Sequence, residues 1–144
     1  MPRLPIKQRV SPSQETGGPD ERAHLKAIYR QFMHVNRQLK QVLTDWQGQM
    51  SGERWVPNTH QDKGYDSRLL NRLRSLHGEL QGVLMQDAEL AATYMPHFQH
   101  ALEMIDRGML EQYMFRDMDS YHTLLLRAHR ELSQRAGIEY GEEA

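Results

Sequence analysis

Eight histidines and 19 acidic side chains give this 144-residue chain enough ligands and proton carriers to raise metal and acid–base chemistry first. His97, His100 and Glu103 stand at i, i+3 and i+6, one row of a helix, and Asp119 with His122 forms a second row of the same kind. Asp119 could orient the His122 ring for proton transfer, which makes this the pair of interest for acid–base work. A carboxylate-bridged metal site in a helical bundle needs two Glu-x-x-His pairs. Here there is one, Glu21 with His24, in the first turn of its helix, where a fraying end makes a poor platform. No His-Glu-x-x-His pattern, nucleophile elbow, phosphate loop or dinucleotide glycine pattern occurs. With no cysteine there is no thiol nucleophile, disulfide framework or zinc ribbon. The expectation is a non-enzymatic protein with no metal and no cofactor.

The residues that could recognise another molecule are arranged more tellingly. Arg22, Lys26, Arg30, His34, Arg37 and Lys40 recur along one helical face, and no acidic residue stands between Arg22 and Val42. Tyr29 and Met33 border that face and are expected to add apolar contact area. A bare basic ridge fits nucleic-acid phosphates or an acidic protein. The simpler alternative is a solvated face balanced by carboxylates from neighbouring helices. Fourteen of the 18 basic residues are arginine, whose planar fork suits carboxylates and phosphates, although genomic base composition can produce the same bias. Phe115 and Leu126, eleven residues apart, form a second apolar face on the last helix, suited to a central buried position or to another chain. Ser75, Gly78 and Gly82 make a small-residue stripe where a backbone could approach closely. The six methionines from Met85 to Met118 read as core filler before they read as an adaptable surface.

Helices must carry all of these. Leu25, Ile28, Phe32, Val35, Leu39, Val42 and Trp46 alternate gaps of three and four, a heptad seam that predicts a first helix from about Asp20 to Met50. Residues 51–65 show no period and contain Pro57 and two glycines, which predicts a long loop. Asp66 or Ser67 can cap a second helix through Leu69, Leu73, Leu76, Leu80 and Val83 or Leu84. Asp87 can cap a third through Leu90, Tyr94, Phe98 and Ile105, with a kink or break expected at Pro96. Reading Met95-Pro96 as the turn of a DNA-binding helix-turn-helix is opposed by the short span and by Arg107 as its only basic residue. Leu110, Met114, Met118, Tyr121, Leu125, Ala128 and Leu132 predict one long last helix ending at Gly137. No useful strand-like alternation is visible.

The expected fold is therefore all-α: a four-helix bundle-like domain over residues 20–144, with an extended N-terminal arm over 1–19 that holds four of the six prolines. Hydrophobic residues make up 38% of the chain and charged ones 26%, values of a folded domain. No apolar run approaches the roughly 18 residues of a membrane span, and MPRLPIKQRV lacks a secretory h-region, so a cytoplasmic location and no membrane partner are expected. The net charge of −1 conceals a polarised chain: residues 1–74 carry 13 basic and 7 acidic side chains, residues 75–144 carry 5 and 12. The expected function is a protein–protein interaction module, an adaptor, regulator or assembly component. Its candidate partner-binding residues are Arg22, Lys26, Tyr29, Arg30, Met33, Arg37, Phe115 and Leu126. Self-association is admitted, as is the alternative of nucleic-acid binding through the ridge with Arg3, Lys7 and Arg9 of the arm.

Overall fold

The computed structural model describes residues 18–139; of the expected arm over 1–19, residues 1–17 lie outside the described residues, and Gly18 and Pro19 are the cap and first position of the first helix. The described residues are mostly helical, with four α-helices and one small two-stranded sheet. Helix α1 spans Pro19–Gln47. Pro19 takes the first helical position, where its missing N–H is no loss, and Asp20 and Glu21 face the positive end of the helix dipole. All seven seam residues from Leu25 to Trp46 are buried. The seam is wider than a heptad, because Tyr29, Met33, Asn36 and Leu43 are buried beside it. That second stripe lets α1 pack on two helices at once.

Residues 48–57 are not irregular. Strand β1 (Gly48–Ser51) pairs antiparallel with β2 (Arg54–Pro57), Gln49 opposite Val56 and Met50 opposite Trp55. Gly52 opens the two-residue turn at φ +65°, with no positive φ at Glu53, the type II′ pattern that matches strand twist. The predicted long loop therefore shrinks to residues 58–62. His60 sits there at φ +64°, an unusual angle for a side-chain-bearing residue. Three contacts hold it: Nδ1 donates to Asp66 Oδ2 at 2.8 Å, its N–H donates to Asn58 Oδ1, and its ring lies 4.6 Å from that of Trp46.

Helix α2 spans Lys63–Leu84 and is capped four residues earlier than Asp66, by the Asp62 carboxylate on the Tyr65 N–H. Helix α3 spans Ala88–Asp106 with the expected Asp87 cap on the Leu90 N–H. It runs unbroken through Pro96, so of the expected kink or break the break does not occur. Proline removes one hydrogen bond, to the carbonyl of Ala92, and both residues face outward, where water can take that carbonyl. The predicted long last helix is divided. Gln112–Arg116 forms one wide π-helical turn, the chain breaks at 117–120, and α4 spans Tyr121–Ala136 under a Ser120 cap on the Thr123 N–H. Gly137 then ends α4 at φ +75°, as its position predicts.

Helix α1 packs on α2 and α4, and α3 packs on α2 and α4, closing a ring around one core. Inside it, Tyr121 and Phe98 lie 4.9 Å apart, and His77 Nδ1 sits 2.7 Å from the Tyr121 hydroxyl. Burial pushes the His77 pKa down, only partly offset by its contact with Gln99. The neutral ring can then accept from Tyr121 and donate Nε2–H to Gln99 Oε1 at 3.3 Å. At the ring's end Arg135 makes two hydrogen bonds to the Asp87 carboxylate, 2.9 and 3.2 Å, pinning α4 to the cap of α3. Among the described residues no helix is long and apolar enough to cross a membrane.

Candidate partner-docking surface

Helices α1 and α4 run antiparallel, and their register follows from three contacts. Arg22 lies over Gly137, Tyr29 and Phe32 face the His129 ring at 5.9 and 6.3 Å, and Lys40 stands close enough to His122 to depress its pKa further, after burial has done so. The buried stripe of α1 thus faces α4, and the ridge emerges beside it.

Arg22, Lys26, Arg30, Arg37 and Lys40 are all exposed, as is His34. From Arg22 to Lys40 the ridge is about 27 Å long at 1.5 Å per residue. Among the described residues none of these five cations forms an ion pair with a carboxylate. Four carboxylates of the acidic half are engaged elsewhere, Asp106 with Arg74, Asp119 with Arg127 and His97, Asp87 and Glu89 with Arg135, whereas Glu79 of α2 lines a groove together with Arg30 and His34 of the ridge. Among the described residues no ion pair within 4 Å joins the ridge cations to that half. Like charges held in a row without counter-charge create a positive potential that attracts an anionic surface and is weakened by salt.

Tyr29 and Met33 do not contribute as expected. Both are buried and offer no apolar area to a partner, Tyr29 against α4 with its hydroxyl 3.4 Å from His129 Nε2. The 100° advance that puts them beside the ridge also puts them at the edge of the core, and a second neighbouring helix claims that edge. The apolar component comes from α4 instead. Leu126, one turn on from His122, is 38% exposed on the α1-facing edge. Phe115 is half-buried, packs on the core and lies 6.1 Å from the His122 ring. Phe115 and Leu126 do not share a helix face, because the break at 117–120 separates them. His122 joins them in space and also links them to Lys40. Two surfaces that look separate in the sequence thus form one face.

The remaining chemistry-bearing residues disperse. Asp119 faces Arg127 at 3.5 Å and His97 at 3.9 Å rather than His122, so the expected pair is not formed. His97, His100 and Glu103 line the exposed side of α3, with His100 edge-on to Tyr113 at 5.6 Å. Among the described residues no three His, Asp or Glu side chains converge as metal ligands would. A Cβ added at Gly78 or Gly82 would meet nothing within 4 Å, so the small-residue stripe borders open space and not a close backbone. Of the six methionines from Met85 to Met118, Met114 alone is fully buried, while Met85, Met109 and Met118 are exposed. Met118 sits in the break before α4, out of the helical register that would have turned it inward.

Sequence reasoning missed the hairpin and its apolar faces. Trp55 is 52% exposed beside Met50, and Val56 is exposed on the opposite face. The signal was present in Gly52, which stands at the first of two turn positions between runs containing Met50 and Trp55-Val56, the place a type II′ hairpin gives to glycine. No protein-family model, curated protein or solved structure matches the chain, so the geometry alone carries the functional reading.

Proposed function

We propose that this chain is a non-catalytic interaction module: a four-helix bundle that binds an acidic protein partner along the face formed by α1 and the edge of α4. The observation that carries this reading is the run of five exposed cations on α1 without a carboxylate partner among the described residues. Leu126 and the half-buried Phe115 favour a protein over a bare polyanion, since a protein segment brings apolar side chains as well as carboxylates. Arginine at Arg22, Arg30 and Arg37 can bind carboxylates in a bidentate way. Nucleic acid is the second reading, favoured by the spacing of cations over about 27 Å, enough to meet successive phosphates.

The test compares wild type with Lys26→Glu/Arg30→Glu and with a control reversal on the outer face of α2, Arg68→Glu/Arg72→Glu. Each is used as bait in a nuclease-treated extract of the native source. An acidic protein held by wild type and control but lost from the ridge variant supports the proposal. The same proteins on all three baits would overturn it. A mixed-sequence duplex or single strand that binds at ~50 mM salt, with log K falling linearly against log salt, would install the second reading in its place.

A further inference from the structure

Helix α3 carries two seams, and only one of them has a neighbour. The inner one, Leu90, Tyr94, Phe98, Ala101 and Ile105, is buried in the core. The outer one, Ala88, Ala92, Met95 and Gln99, has gaps of four, three and four, the spacing of a helix that lies along another helix. It lines a groove of about 630 Å³ shared with α2, and no charged side chain is among the lining residues. Met85, at the end of α2, borders the same groove and is among the most exposed large apolar side chains of the described residues. Across residues 88–102 the only charged residue is Glu89, which stands 3.7 Å from Arg135 of α4.

This face is complementary to itself. A two-fold axis brings the residues around it against their own copies, so a face without charge meets no like-charge repulsion there. The side-chain sizes also match when two α3 helices run antiparallel with the axis at Ala92. Ala92 then meets Ala92, Ala88 of each copy meets Met95 of the other, and Met85 meets Gln99. A small residue thus receives a large one on both sides of the axis, and the antiparallel order opposes the two helix dipoles. The amides of Gln81 and Gln99 both donate and accept, so each can bond its counterpart or the Ala92 carbonyl that Pro96 leaves free. Helix α3 is about 28 Å long, and with α2 alongside the face is about 20 Å wide. Two such faces bury about 1,100 Å², the low end for a specific interface, which points to a reversible dimer.

We propose that α3 is a self-association surface, on which two copies of this chain pair antiparallel through the seam over residues 88–99, with the two-fold axis at Ala92. Met95 of each copy fills the groove beside Ala88 of the other. Helix α3 lies across the ring of helices from α1, so the pairing does not depend on the α1 ridge having a partner.

Sedimentation velocity on the full chain from about 1 to 100 µM tests this. The expected result is a shift from monomer to dimer and no further, because a two-fold contact closes on itself. Ala92→Arg sets two like charges at the axis and should keep the chain monomeric over the whole range. Ala92 is exposed, so helical circular dichroism stays unchanged. Arg68→Glu, on the exposed side of α2 outside the groove, should leave the dimer intact. The absence of cysteine gives a second measurement. Facing residues of helices whose axes lie about 8–10 Å apart have Cα atoms about 5 Å apart, within reach of a disulfide. Ala92→Cys should therefore oxidise to a covalent dimer many-fold faster than Arg68→Cys. A wild-type chain that stays monomeric at about 100 µM would overturn the proposal. So would a dimer that survives Ala92→Arg, assembly beyond two copies, or equal oxidation of the two cysteine variants.

Discussion

Arg135→Met tests how the ring of helices is closed. The Arg135 side chain is 11% exposed and that of its partner Asp87 is 13%, so both charges are largely withdrawn from water. Two hydrogen bonds join them, and Glu89 Oε1 stands 3.7 Å from the same guanidinium. Burial alone would push the Asp87 pKa up, but the bonds from Arg135 and from the Leu90 N–H, with the Arg135 charge, hold it below the ordinary carboxylate value. Removing one partner of a buried pair costs about 3–5 kcal/mol, because the other charge is stranded. Here the residual exposure and the surviving Leu90 bond reduce that, and a loss of about 2–4 kcal/mol is expected. Urea unfolding followed by circular dichroism measures it, with the urea slope expected to stay constant. Asp87→Asn keeps a capping side chain and removes the charge, so the double variant should recover part of the loss. The linkage has a sign. A depressed carboxylate pKa gives stability that is present above the unfolded value and lost as pH falls through the folded one. Arg135→Met should therefore flatten the acid limb below about pH 4. A loss under about 1 kcal/mol, with the acid limb unchanged, would mean the pair behaves as a screened surface bridge and the argument from burial fails.

Gly78→Ala and Gly82→Ala should each stabilise the protein by about 1 kcal/mol, since a Cβ there meets no neighbour within 4 Å; thermal melts would contradict this if either lowered Tm. Gly48→Ala should do the opposite, costing about 1–3 kcal/mol, because its Cβ would collide with the Trp55 indole and the Val56 carbonyl. Indole fluorescence reports whether the hairpin shifts, and an unchanged spectrum with unchanged stability would refute the packing. His77, with its pKa lowered by burial, contributes stability that is complete above about pH 6.5 and falls as pH drops below it. His77→Gln should flatten the stability profile between pH 7 and 5, and a wild-type slope in the variant would assign it to other histidines. Leu126→Asp should leave the fold intact while weakening partner binding; an unfolded variant would place Leu126 in the core.

The long periodic segments were legible in the sequence because burial on one face leaves a direct record in residue spacing. The α1 seam, the α2 leucines and the α3 series from Leu90 to Ile105 are buried as read, and Asp87 and Gly137 mark helix ends where their chemistry requires. What escaped reading depends on neighbours more than on spacing. Tyr29 and Met33 stand at an angle that either solvent or α4 could occupy, and only the tertiary packing decides it. The division of the last helix follows a wide turn at Gln112–Arg116, after which Ser120 caps a new start. The spacing from Met114 through Met118 to Tyr121 does not reveal that interruption. Pro96 does not break α3, because the carbonyl it leaves without a partner faces water. The hairpin was overlooked because strands of four residues leave too little alternation to register. At the candidate site the ridge was visible in the sequence, whereas its lack of ion pairs among the described residues and its nearness to Phe115 and Leu126 through His122 depend on the tertiary packing.

Docking of an acidic protein on the α1 ridge is directly measurable because lysine is scarce. The chain has four lysines: Lys26 and Lys40 lie on the ridge, Lys63 opens α2 away from it, and Lys7 lies in the N-terminal segment. Zero-length carbodiimide coupling joins lysine amines to carboxylates that touch them. Applied to the complex recovered with wild type, it should link Lys26 and Lys40 to partner Asp or Glu side chains and leave Lys63 unlinked. Links at Lys63 with none on the ridge, or a complex that forms with no link at Lys26 or Lys40, would contradict the account.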